Sequence, residues 1–238
     1  MWKAWAERLP WTDGIHSWAI DKSPSYSNII QFGDVAQSIH ELLPNAKVLV
    51  TVCNPSERVF SAYHHYHDKT GPAAKQWKQA YKKYGLAEES QSFGNFTDFL
   101  FYPDKSPKCS QMSREFCKVQ KRTVLGMGEY GTNVKAWHHA YGPENVLVLN
   151  MNDDNEQKAK RILDHVGLPP DEYPWKELRE EAEEAYSNTH YTGRSSAIEE
   201  FPDSMKKLQD YYYLDNLELA KLLGEDFPLE WNADSSNV

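Results

Sequence analysis

The run Lys47-Val48-Leu49-Val50-Thr51-Val52-Cys53 constrains this chain more than any other segment. It is nearly continuous in apolar, β-branched residues, the composition of a strand covered on both faces in a parallel sheet. Asn54-Pro55 breaks the strand, and Ser56-Glu57-Arg58 opens a helix. Proline near the first helical position and glutamate in the first turn are both start signals. A helix that begins this way presents free N–H groups and a partial positive charge at the C-terminal edge of the sheet. That is where α/β proteins bind phosphates.

Asn145-Val146-Leu147-Val148-Leu149-Asn150 has the same character. Each run follows a helix-like segment and a turn: Asp34 to Leu43 then Pro44-Asn45, and Asn133 to Tyr141 then Gly142-Pro143. Strands alternating with helices predict a parallel sheet with crossover helices. Asn155 to Val166 reads as a helix stopped by Gly167 and Pro169-Pro170. Asp203 to Leu223 carries apolar residues at helical spacing and ends at Gly224. The stretch from about 69 to 121 is rich in Lys, Gln, Ser and aromatic residues, and reads as a helical and loop insertion. The expected organisation is a single domain over 1–231 carrying that insertion, with a disordered tail over 232–238.

A length of 238 residues, 40% hydrophobic and 13% aromatic, suits one folded domain with a substantial core. The net charge of -9 argues against a nucleic-acid partner, yet leaves room for a local basic pocket around a small anion. No apolar run is long enough to span a bilayer, and Met1 to Arg8 is too polar for a signal peptide. Asn95-Phe96-Thr97 is an N-glycosylation acceptor sequence. Cys109 and Cys117 flank a polar stretch, which suits a local disulfide or two reduced thiols, while Cys53 sits in an apolar run as a buried thiol. The sequon and the cysteine pair together tilt the reading toward a secretory lumen.

Arg58 and Ser61 lie three apart on the helix and share a face. One reading makes them a charged fork and a hydroxyl for one anion; the other makes Arg58 a surface ion pair and Ser61 a packing residue. His64 and His67 also share a face, but no carboxylate or thiol at matching spacing completes a metal set, so no metal is expected. Asn152-Asp153-Asp154-Asn155 lacks the glycine and terminal glutamate of a calcium loop and reads as a helix N-cap region. Tyr211-Tyr212-Tyr213 reads as helix packing, or as packing with one ring set beside a nucleotide base.

Val52 to Tyr63, read as Val52-Cys53-Asn54-Pro55-Ser56-Glu57-Arg58-Val59-Phe60-Ser61-Ala62-Tyr63, resembles the 3′-phosphate-binding motif of the Golgi carbohydrate sulfotransferases. These heparan sulfate and chondroitin-type enzymes use 3′-phosphoadenosine 5′-phosphosulfate (PAPS) as sulfuryl donor. Asp21-Lys22-Ser23-Pro24-Ser25-Tyr26 looks like the family's acceptor-site segment, and Thr192-Gly193-Arg194-Ser195 sits where the family carries a Lys-Gly-Arg loop against the donor phosphates. Gly128-Glu129-Tyr130 through Trp137, Asn145 to Asn150, and Tyr211 to Leu223 with Phe227-Pro228 and Trp231 follow in the family's order.

The resemblance implies a P-loop NTPase-like α/β fold, a three-layer parallel sheet with flanking helices. It implies a PAPS-dependent transferase acting on a glycan or proteoglycan acceptor in the Golgi lumen or secretory pathway. Carried over residue by residue, Arg58, Ser61, Thr192, Gly193, Arg194 and Ser195 bind PAPS. Lys22, Ser23, Pro24 and Ser25 line the acceptor site, with Lys22 as the candidate catalytic cation.

Three departures stand beside it. Cys53 occupies the strand end where the family usually places an arginine that grips the 3′-phosphate. Losing one charged hydrogen bond to a phosphate costs ~1.5–3 kcal/mol. Thr192 replaces the loop lysine. The phosphosulfate loop and the catalytic glutamate of the family's first strands have no counterpart here, so the expected fold is N-terminally incomplete and the chain as it stands, truncated or degenerate, is not expected to be a competent enzyme. The alternative reading is a non-catalytic lumenal glycan-binding relative.

Overall fold

The computed structural model describes residues 35–67, 93–101, 124–168 and 197–224. In chain order these form α1 (Val35–Leu42), β1 (Val48–Val52), α2 (Pro55–His67), α3 (Phe93–Phe101) and α4 (Tyr130–Tyr141). A short 3-10 turn, Pro143–Asn145, then leads into β2 (Val146–Asn150), α5 (Asn155–His165), α6 (Ala197–Glu200) and α7 (Pro202–Leu223).

The two runs of β-branched residues pair in parallel, in register from Val48 with Val146 to Val52 with Asn150. Lys47 reaches across the start of the pair to Asn145 Oδ1 at 2.8 Å. Parallel neighbours need a crossover, and the chain between them supplies helices, so this is an α/β fold with a parallel sheet and flanking helices. One face of the pair is dry. Val52, Val146 and Val148 pack there against Val35, Ala36 and Ile39 of α1, Val134 and Trp137 of α4, and Leu219 of α7. The opposite face differs from the expectation of burial on both sides: Leu49 is 43% exposed and Thr51 is exposed. Among the described elements, helix α5 packs mainly against β2.

Helix ends follow local chemistry where local chemistry is present. Asp154 caps α5 by accepting from Gln157 N at 3.1 Å, and Gly167 follows it at a φ of 77°. Helix α4 begins three residues before the expected Asn133, and its cap is not local. Asp215 of α7 accepts from Gly131 N at 2.7 Å, Thr132 N at 2.9 Å and Thr132 Oγ1 at 2.8 Å. The approach is so close that a Cβ at Gly131 would stand 2.3 Å from the Asp215 carbonyl oxygen.

A second core lies between α2, α3 and α7. Val59, Phe60 and Tyr63 meet Phe93, Phe96 and Leu100, with Met205, Leu208 and Tyr212 closing the other side. Residues 93–101 lie within the span read as an insertion, yet their apolar side is fully buried in this cluster. Lys207 also pairs with Asp98 at 2.6 Å across α7 and α3.

Candidate nucleotide site

The candidate site is built on the end of β1 and the start of α2. Asn54 stands in the turn, and its Oδ1 accepts from Ser56 N at 3.0 Å and Glu57 N at 3.3 Å. The helix donors expected to be free are therefore capped by the residue before Pro55, an ordinary N-cap role for asparagine. The partial positive charge of the helix end remains at the C-terminal edge of the strand pair. One turn further on, Ser61 is exposed on the same helix.

Arg58 turns the other way. Its guanidinium donates through Nη2 to the carbonyl of Val124, and its Nε is sealed from solvent. Beside it, the fully buried Tyr212 donates its hydroxyl to the Leu125 carbonyl at 2.9 Å. Burial pushes the Tyr212 hydroxyl above its ordinary range, and the Arg58 charge pulls it back down. Arg58 thus gives one guanidinium donor to a backbone carbonyl, while Ser61 on the same helix is exposed.

Cys53, at the strand end, lies 3.4 Å from the hydroxyl of Tyr130. Burial holds its thiol above the ordinary value; the bond to Tyr130 and the Arg58 charge offset this only in part. The group where an arginine was expected is a neutral thiol. Tyr130 is pushed up in turn, chiefly by burial.

Glu129 and Tyr211 form a further polar contact at the α4–α7 junction, with Tyr211 Oη donating to Glu129 Oε1. Burial raises the Glu129 carboxyl, the Tyr211 bond lowers it, and the nearby Asp215 carboxylate raises it again. His64 packs edge-on to Phe60 and Tyr63, with ring centroids at 4.5 and 5.2 Å. Among the described residues, no three His, Cys, Asp or Glu side chains stand together as a metal set. No described helix is long and apolar enough to cross a membrane.

Lys22, Ser23, Pro24, Ser25, Cys109, Cys117, Thr192, Gly193, Arg194 and Ser195 lie outside the described residues. Asn95 is exposed on α3, while Thr97 of the same sequon is buried and gives its hydroxyl to the Phe93 carbonyl at 2.7 Å. Sequence reasoning read Tyr212 as helix packing but assigned no contact to it, to Tyr130 or to Asp215. Their partners, Cys53, Leu125 and Gly131, lie far away along the chain, and helical spacing carries no signal for such contacts.

Comparison with known proteins agrees with this architecture. Residues 34–209 match the family model described as the sulfotransferase domain. The human bifunctional heparan sulfate N-deacetylase/N-sulfotransferase 1 is 27% identical over 220 residues, covering 83% of this chain and 21% of that protein. Human bifunctional heparan sulfate N-deacetylase/N-sulfotransferase 3 is 25% identical over 200 residues, covering 76% of this chain and 20% of that protein. The chain thus spans about a fifth of the length of these curated relatives. A solved sulfotransferase from Alicyclobacillus acidocaldarius shares the fold with a TM-score of 0.52 at 18% identity, over 85% of this chain and 64% of that one. The matched region contains both strands, the Asn54-Pro55 turn and the start of α7, and the chain belongs to the sulfotransferase domain family.

Proposed function

We propose that this chain transfers a sulfuryl group from PAPS to a hydroxyl or amine of a glycan, or of a proteoglycan carrying one. The observation that carries the reading is the β1–turn–α2 unit. It sets a capped helix N-terminus and the exposed Ser61 at the C-terminal edge of a parallel pair, in a chain of the sulfotransferase family. Two relatives whose names specify heparan sulfate support a glycosaminoglycan acceptor.

Sulfuryl transfer resembles phosphoryl transfer. A charged group moves in line from a nucleotide to a nucleophile, so catalysis is largely positioning and electrostatics. In this reading Ser61 donates to the 3′-phosphate, and Gly193 lets the backbone approach the donor between Thr192 and Ser195 while Arg194 supplies charge. Lys22, within Lys22 to Ser25, faces the transferred group or the acceptor. The setting is the Golgi lumen or secretory pathway, with Asn95 glycosylated and Cys109 joined to Cys117.

Calorimetry with 3′-phosphoadenosine 5′-phosphate, followed by transfer from radiolabelled PAPS to N-desulfated heparan-type glycan, tests the proposal. Saturable nucleotide binding with label in the glycan is expected; a chain that binds no nucleotide would sink it. The uncharged Cys53 at the strand end favours a second reading, a glycan-binding relative without transfer activity. Glycan binding with no nucleotide binding would identify that case.

A further inference from the structure

We propose that Arg58 is a positioning residue for the nucleotide site, a strut that fixes α2 from beneath, and not a ligand of the phosphate. The proposal rests on the sulfotransferase reading above and assigns a specific task to a residue within it.

The geometry has three parts. Arg58 and Tyr212, side by side, take adjacent carbonyls of a single turn, Val124 and Leu125. The helix that carries Ser61 and the long helix α7 are thus fastened to the same two peptide groups. The turn packs closely on Tyr212, since a Cβ at Gly128 would stand 2.8 Å from its hydroxyl. The base of the guanidinium is closed to solvent, so an anion arriving at the sheet edge meets Ser61, not Arg58 Nε.

The arrangement also suits arginine. A guanidinium offers several donors in a fixed plane, so it can give one to a carbonyl while its charge still faces a buried hydroxyl. The charge is felt by both Tyr212 and Cys53. Ser61 sits one turn from Arg58, so a small tilt of α2 moves its hydroxyl away from a phosphate held by the rest of the site. A misplacement of about 1 Å is enough to cost a large part of such an interaction.

A double-mutant cycle on nucleotide affinity separates strut from ligand. The full chain is titrated with 3′-phosphoadenosine 5′-phosphate as wild type, Arg58→Gln, Tyr212→Phe and the double variant. Thermal melts confirm that each is folded at the titration temperature. A strut predicts that either change weakens binding about tenfold and that the double variant is little worse than either alone. Additive losses, with Arg58→Gln acting in full on the Tyr212→Phe background, would mean that Arg58 touches the nucleotide, and would overturn the proposal. Lower melting temperatures with unchanged affinity would also overturn it, since the contacts would then serve stability alone. Should Arg58→Gln fail to fold, Tyr212→Phe decides by itself, because it deletes the one hydroxyl that holds the Leu125 carbonyl and unchanged affinity refutes the strut. A wild-type chain that binds no nucleotide fails at an earlier step and removes the sulfotransferase reading together with this one.

Discussion

The hydroxyl of Tyr130 lies 3.4 Å from the sulfur of Cys53 and ties the end of β1 to the first turn of α4. The contact holds a neutral thiol at the strand end, because burial raises its titration above the ordinary range. Thiolate is the reactive form, so Cys53 should alkylate with iodoacetamide at pH 8 far more slowly than an unhindered cysteine. Peptide mass spectrometry would follow the reaction, with denaturant restoring the ordinary rate. Labelling of the native chain as fast as a free thiol would contradict the burial.

The Asp215 carboxylate replaces a local cap for α4. Asp215→Ala should lower stability by about 1–2 kcal/mol in a denaturant titration, in line with the loss of a side-chain cap. Asp215→Asn, which keeps one acceptor oxygen but no charge, should lose less. Equal stability of Asp215→Ala and wild type would show that solvent caps the helix equally well.

Gly131→Ala tests the approach of α7 to α4. A new methyl group would stand 2.3 Å from the Asp215 carbonyl oxygen and 3.0 Å from Leu219 N, both of them backbone atoms. The helices must then separate, at a cost of about 1–3 kcal/mol typical of overpacking. Alanine is otherwise the better helix former, so an unchanged melting temperature would mean that the junction relaxes freely.

Phe96→Ala asks whether residues 93–101 are an appendage or part of the core. Phe96 is fully buried between Tyr63 and Phe93. Truncation should cost about 3–5 kcal/mol, as for other buried aromatic residues, with loss of cooperative unfolding in the worst case. An effect well under that range would place the helix outside the cooperative unit.

Acidification should act on two groups with opposite sign. Burial, with Asp215 nearby, raises Glu129, although the Tyr211 hydroxyl works the other way. A carboxyl raised on folding adds stability below its unfolded value, near 4.5, and that contribution is lost as pH rises through the folded value. His138 and His165 are lowered, mainly by burial, so each adds stability above the ordinary histidine value near 6.5 and loses it as pH falls through its folded value. For His165, the Lys47 charge adds to that lowering. Between pH 7 and pH 5 the histidines should dominate and stability should fall. Glu129 works against that fall, so Glu129→Gln should steepen it at pH values above about 4.5. A wild-type curve flat from pH 7 to 5 would contradict the histidine assignment.

The parts of this fold legible in the sequence are those whose causes are local. The two β-branched runs became β1 and β2, and Asn54-Pro55, Asp154, Gly167 and Gly224 each mark a helix end where they stand. The start of α4 was misplaced because its cap comes from Asp215, far along the chain. The exposure of Leu49 was not legible either, since a run of β-branched residues does not say which strand a helix will cover. At the site, helical spacing put Arg58 and Ser61 on one face but could not reveal that Arg58 finds the Val124 carbonyl. Spacing fixes where a side chain leaves the helix; a long side chain then ends wherever its best partner lies.

The cap from Asp215 carries one more consequence. The amides of Gly131 and Thr132 are both held by a group on α7, the first packed against that helix and the second exposed. Exchange of the Gly131 amide with solvent deuterium therefore reports the docking of α7, while that of Thr132 also reports rotation of the Asp215 carboxylate.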